Sequence, residues 1–145
     1  MSENTAQPIP QGQYLPALRH NNLIYTSGMT PRTDGKLIYS GKIKSASPVE
    51  SYRDAVRLAT KNALISAQAC LEKNEKISVI LQLTVYLNTE PGFREHPKVA
   101  DYASALLIEE LGATSIGSRA AIGVATLPSD ALVEIALVGA VGLAL

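Results

Sequence analysis

Gly117-Ser118-Arg119-Ala120-Ala121-Ile122-Gly123-Val124-Ala125-Thr126-Leu127-Pro128-Ser129-Asp130-Ala131-Leu132-Val133-Glu134-Ile135 reads as strand, turn, strand. Branched, leucine and small residues flank Pro128-Ser129-Asp130, a cluster of turn formers. The reading is a hairpin, and two charges interrupt it. Arg119 opens the first strand and Glu134 lies inside the second. A charge in an apolar strand must be paired, solvated or used, so these two are the first candidates for chemistry. If the hairpin turns at Ser129, Glu134 lies roughly 13–17 Å along the sheet from the position opposite Arg119, at the usual strand rise. The two would then reach a ligand from opposite ends or meet through a neighbouring subunit. One hairpin face is small-residue rich: Ala121, Gly123 and Ala125, with Ala136 and Ala140 in the partner strand.

Outward from this stretch, two helices and a long strand precede it. Ser47 suits an N-cap, Pro48 the first helical position, and Glu50 completes a capping box. Tyr52, Val56, Ala59, Ala63, Ala67 and Cys70 then recur at helical spacing to about Glu72, with Asn74 as terminator. Cys70 reads as a buried small hydrophobe. Leu81, Leu83, Val85 and Leu87 alternate with Gln82, Thr84, Tyr86 and Asn88, which predicts a strand whose leucine face meets the helices. Asn88, at its end, is placed to hydrogen-bond a ligand or to close a loop. A second helix runs from about Pro97 to Leu111 with Val99, Tyr102, Ala103 and Leu106 inward, and Gly112 stops it. Adjacent Glu109 and Glu110 point apart and read as a solvated face.

The N-terminal third is read more coarsely. Residues 1–12 form a loose tail broken by Pro8 and Pro10. Gln13 to Leu18 is a short edge strand containing Tyr14. Asn21-Asn22 is a turn, Leu23 to Ser27 a strand ended by Gly28, and Asp34-Gly35 a tight turn before a strand at Leu37 to Tyr39. Two helices cover only one face of such a sheet. The other face, rich in Ala, Gly and Val, is a poor partner for water and is expected to pack on another subunit.

Composition narrows the class. A chain of 145 residues is one domain, residues 1–145, large enough to bury a core without staples. Its 13 basic and 13 acidic residues cancel, so no field is available to capture nucleic acid or an anionic membrane. The single cysteine, Cys70, excludes an intramolecular disulfide. No signal peptide or spanning helix is read, which leads to an expectation of a cytoplasmic protein. His20 and His96 are far apart and lack partners at ligand spacing, so no metal is expected. His96, before Pro97, reads as a helix-entry residue. There is no nucleophile elbow, phosphate loop or dinucleotide fingerprint.

Tyr25-Thr26-Ser27-Gly28, together with Ser118-Arg119, Leu127-Pro128 and Val133-Glu134-Ile135, resembles the Rid family, also called YjgF-like or L-PSP endoribonuclease-like proteins. The fifteen-residue step from Arg119 to Glu134 and the fourteen-residue step from Tyr14 to Gly28 both fit. Glu90 to Lys98, with Pro-Gly-Phe and His-Pro, resembles the chorismate-mutase-like subgroup. The resemblance implies an α+β fold: a mixed β-sheet with two α-helices packed on one face. It also implies a homotrimer with a central barrel and ligand clefts between subunits. The implied activity is cofactor-free hydrolysis of small enamine and imine acids, such as 2-aminoacrylate, to 2-keto acids and ammonia. A non-catalytic small-carboxylate-binding trimer is the alternative, and an endoribonuclease a more distant one.

By the same resemblance Arg119 binds the substrate carboxylate, Glu134 handles water or a proton, and Tyr14 offers a hydroxyl. Gly28 lets backbone approach the ligand, and Ala121 joins the pocket wall; Asn88 stays a substrate-binding candidate on its position at the strand end alone. Family members often carry cysteine at the position of Ala121, proline at Gln13 and glutamine at Met29. The assignment of Arg119 requires a guanidinium that projects into a crevice between chains, not one locked in an ion pair within its own chain.

Overall fold

The structure, a computed structural model, describes residues 6–144. Residues 1–5 of the expected tail lie outside the described residues. Residues 6–9 and Gln11 help to line a cavity beside Tyr14, and the Gln11 backbone N–H donates to the Tyr14 hydroxyl at 2.9 Å.

Seven strands and two long helices follow: β1 (Ala17–His20), β2 (Leu23–Thr26), β3 (Arg32–Thr33), β4 (Lys36–Leu37), α1 (Arg53–Gln68), β5 (Glu75–Asn88), α2 (His96–Leu111), β6 (Ile116–Val124) and β7 (Val133–Leu143). Five strands form one sheet in the order β1-β2-β7-β5-β6, and β3 and β4 pair separately. β5 and β6 are parallel, while the other pairs are antiparallel, so the sheet is mixed. Both helices pack on one face, α1 over β7 and β2, α2 over β5 and β6.

The hairpin reading of residues 117–135 is corrected here. β6 and β7 are not neighbours, because β5 lies between them. A parallel β5–β6 pair needs a crossover, and α2 supplies it. The turn at Pro128–Asp130 therefore carries the chain across the end of β5 instead of folding two adjacent strands together. Small residues are redistributed as well. Ala120 and Ala136 flank Thr84 on the open face, whereas Ala121 and Ile135 flank Val85 on the helix face.

Three local expectations also change. Tyr14 precedes the edge strand instead of lying in it, since β1 begins at Ala17. No capping box forms: Pro48 is extended, and a 3₁₀ turn at Val49–Tyr52 leads into α1. Leu81 is 42% exposed because the pairing with β7 slips between Ile80 and Gln82. This bulge leaves Ile77, Ile80, Leu83, Val85 and Leu87 as the buried series of β5.

The helices bury the expected stripes. Val56, Ala59, Ala63 and Ala67 of α1 face Val99, Ala103 and Leu107 of α2 and the sheet, all fully buried. Cys70 is only partly buried at the margin of this core. Glu109 and Glu110 do more than face solvent: they pair with Arg57 at 2.8 Å and Lys61 at 2.7 Å, tying α2 to α1. Asp34 and Gly35 both have positive φ, 53° and 80°, as the two-residue β3–β4 turn requires.

A third ion pair closes the far end of the sheet. Arg19 donates to both Glu75 oxygens, at 2.6 and 2.9 Å, and the Glu72 N–H adds a bond at 2.7 Å. The Arg19 fork, then the Glu72 amide, hold the Glu75 carboxyl down to about 2. A depressed folded value means stability present above the ordinary value of 4.5 and lost as pH falls toward 2. The thermal midpoint of the wild type is expected to fall across that window more steeply than that of Glu75→Gln. Parallel curves would remove Glu75 from the acid response.

Candidate functional site

Tyr14, Gly28 and Glu134 converge on one cavity of about 510 Å³. Gln11, Ser27, Thr30, Arg32, Pro128 and Ser129 complete its wall. Strand pairing builds the site. Met29 and Ile135 exchange backbone hydrogen bonds at 2.7 and 2.8 Å, which pins the Gly28–Met29 segment against β7. Val133 and Ile135 are buried toward the helices, so alternation turns Glu134 to the other face, toward Gly28. Ser27 fixes the preceding loop by donating to the Leu15 carbonyl at 2.6 Å.

Glu134 is partly buried, and among the described residues no hydrogen bond to its carboxylate is found. Burial alone raises its pKa above the ordinary carboxylate value. Such a group binds a proton more readily than an exposed carboxylate and is suited to proton transfer. Tyr14 is 44% exposed, and its oxygen accepts the Gln11 N–H, leaving its own O–H to donate.

Arg119 is elsewhere. It is level with Leu83 on β5, while Glu134 is level with Tyr86. That odd offset sends the two side chains to opposite faces of the sheet. The guanidinium turns under α2, donating to Asp101 Oδ1 at 2.8 Å, Ser104 Oγ at 3.1 Å and the Pro97 carbonyl at 3.4 Å. The requirement that Arg119 be free of an ion pair in its own chain is therefore not met. Asp101 is 70% exposed, however, which makes this a surface pair, typically worth about 0–1 kcal/mol. Arg119 also lines a separate groove of about 440 Å³ between α2 and β6, and β6 is an edge strand.

Ala121 shares the helix face with Arg119 and packs against the core. Two positions further, Gly123 seats His96: a Cβ there would meet the imidazole Nε2 at 2.6 Å. His96 is indeed the first residue of α2.

Asn88 is corrected from a pocket residue to a loop clamp. It is fully buried, and its amide nitrogen faces three acceptors: the Gly41 carbonyl at 3.1 Å, Asp130 Oδ1 at 3.0 Å and the Ala131 carbonyl at 3.0 Å. It thereby holds the crossing segment over the end of β5. That segment includes Ser129 and Asp130 at φ 55° and 58°, and Pro128 and Ser129 line the cavity. Asn88→Ala is expected to lower unfolding free energy by about 2–3 kcal/mol, since buried carbonyls lose their donor. Denaturant titration checks this; a change below about 0.5 kcal/mol, the range of neutral surface substitutions, would deny the clamp.

Residues 5–141 match the model of the family described as "YjgF/chorismate_mutase-like, putative endoribonuclease". The chain belongs to the YjgF/chorismate mutase-like family. The protein Atu1372 of Agrobacterium tumefaciens, of unknown function, is 31% identical, with a TM-score of 0.83 over 93% of this chain and 87% of that one. A "putative endoribonuclease" from Shewanella oneidensis is 32% identical, with a TM-score of 0.77 over 93% and 89%. Protein TCP17 of Trypanosoma cruzi is 28% identical over 132 residues, 90% of this chain and 82% of the relative. No helix among the described residues is long and apolar enough to cross a membrane.

Proposed function

We propose that this protein hydrolyses small enamine and imine acids, 2-aminoacrylate among them, to 2-keto acids and ammonia. The observation that carries the reading is the convergence of Tyr14, Gly28 and a Glu134 carboxyl of raised pKa on one cavity. An enamine such as 2-aminoacrylate first gains a proton at its methylene carbon and gives one up from nitrogen to become the imine; hydrolysis of the C=N bond then adds water to carbon and a proton to nitrogen, and releases ammonia as the carbonyl forms. Glu134 takes the proton from water and returns it to nitrogen. The Tyr14 hydroxyl orients the water or the substrate.

The complete site needs a second subunit. Leu18, Tyr25 and Ile122 are 58%, 47% and 44% exposed on strands of the sheet that the helices leave open. Apolar surface of this kind is buried by association, and a homotrimer with its sheets inward is the assembly that fits the family. Arg119, on the edge strand, would then reach a neighbouring cleft and exchange its exposed partner Asp101 for a substrate carboxylate. A guanidinium grips a carboxylate with two parallel donors, which outcompetes a solvated surface pair.

The test generates 2-aminoacrylate in situ and follows keto-acid release. Wild type is expected to exceed background, and Arg119→Ala to lose roughly tenfold, as for one charge-assisted hydrogen bond. Equal background rates from both would eliminate the deaminase for this substrate. Saturable carboxylate binding without release would make the protein a binding module instead.

A further inference from the structure

A second guanidinium, unassigned so far, lies in the Glu134 cavity itself. Arg32 lines it, and lines the adjoining smaller cavity as well. It is half-buried, and among the described residues it forms no ion pair. Its neighbours hold it without neutralising it. Nε donates to Thr30 Oγ1 at 3.1 Å and Nη1 to the Gly35 carbonyl at 3.0 Å. A guanidinium has five N–H donors, so most of the fork remains for a ligand.

The backbone beneath Arg32 is fixed from the core. Asn62 of α1, only 5% exposed, donates from its amide to the carbonyls of Thr30 and Arg32 at 3.1 and 2.9 Å. The tight turn at Asp34-Gly35 then folds the Gly35 carbonyl back onto the side chain. A partly desolvated cation held in place by neutral acceptors favours an incoming anion. A hairpin that needed only a cap would be served by the Gly35 contact alone.

We propose that Arg32 binds a second acidic group, so that the cleft selects substrates carrying two carboxylates. This deepens the reading above and rests on it: Arg119 of a neighbouring subunit holds the carboxylate beside the reacting carbon, and Arg32 holds the distal one. A cavity of about 510 Å³ accommodates a four- or five-carbon diacid.

The experiment measures equilibrium binding of two product-type probes, 2-oxoglutarate and 2-oxobutanoate, to the full-length protein by calorimetry. Wild type is expected to bind the diacid at least tenfold more tightly. Arg32→Met should erase that preference while changing 2-oxobutanoate binding less than threefold, and Arg32→Lys should restore part of it. The thermal midpoint of each variant separates misfolding from lost recognition, and Arg32→Lys carries the test should Arg32→Met fail to fold. A wild type without preference, or an Arg32→Met variant that weakens both probes equally, overturns the proposal. Because binding is read without turnover, a retained diacid preference in a protein that releases no keto acid would leave the Arg32 site standing and remove the deaminase alone.

Discussion

Glu134→Gln is expected to cut imine hydrolysis by at least about 100-fold, the usual contribution of a positioned acid–base group, while making the folded chain more stable at pH 7. Both results follow from one fact: the carboxyl is desolvated and lacks a hydrogen-bonded partner among the described residues. Its folded pKa lies above the ordinary 4.5. A raised value means that the folded chain holds the proton more tightly than the unfolded chain. Stability from this group is therefore full below pH 4.5 and lost as pH rises through the folded value. Glutamine keeps the shape and never ionises, so the variant escapes that loss. The stability gap between variant and wild type should be open at pH 8 and closed at pH 4. Denaturant titration at the two pH values measures it, and keto-acid release measures the rate. An unchanged rate would remove Glu134 from the chemistry, and an equal gap at both pH values would refute desolvation as the cause.

The response to pH is thus divided between two glutamates of opposite character. Glu75, held by the Arg19 fork, favours the fold above about pH 4.5 and loses its contribution below it. Glu134 disfavours the fold at neutral pH. Ion pairing and desolvation sit at different places on the sheet: Glu75 opens β5, while Glu134 is level with Tyr86, two residues from its end.

Helical spacing made α1 and α2 legible, because a buried stripe needs only local periodicity. Strand alternation made β5 legible in the same way from Leu83 onward. What failed was pairing. Residues 117–135 contain two strands and a turn, and nothing local says that β5 lies between them. That placement is set by the α2 crossover, a contact between distant parts of the chain. The bulge at Leu81 was hidden for a related reason, since it exists only in register against β7.

Candidate residues divide along the same line. Tyr14, Gly28 and Glu134 do converge, and the separation of Arg119 from Glu134 was anticipated, although by a distance argument within a hairpin that does not exist. Their true separation comes from opposite sheet faces. Asn88 carried two readings, ligand contact or loop closure, and its three acceptors decide for closure. Arg32 was passed over because it stands beside Asp34-Gly35, where turn chemistry explained the segment. Its signal was an arginine four residues beyond Gly28, close enough in sequence to share the cleft.

Gly28→Ala tests whether the cleft depends on the absence of a single methyl group. A Cβ at Gly28 would clash with Glu134 Oε2 and come within 2.6 Å of Cδ and 3.0 Å of Cγ. Real carbon atoms do not approach so closely, so something must move. The backbone of Gly28 is pinned through Met29 to Ile135, and Ile135 is fully buried. The Glu134 side chain is the free end, and it rotates away. Gly28 does not occupy the left-handed region, so alanine adds no backbone strain. The fold is expected to survive with a loss of about 1 kcal/mol or less, mostly from a shifted side chain. Catalysis should fall about 100-fold, the effect of misplacing a reacting group by roughly 1 Å. The loss should appear in kcat more than in the binding of 2-oxobutanoate, because the displaced group is the proposed proton carrier and the proposed carboxylate-binding arginine is untouched. A variant with wild-type kcat would show that the carboxyl position beside Gly28 is not the working one. A variant that fails to fold would show instead that Glu134 is held in place more firmly than its lack of hydrogen-bonded partners among the described residues implies.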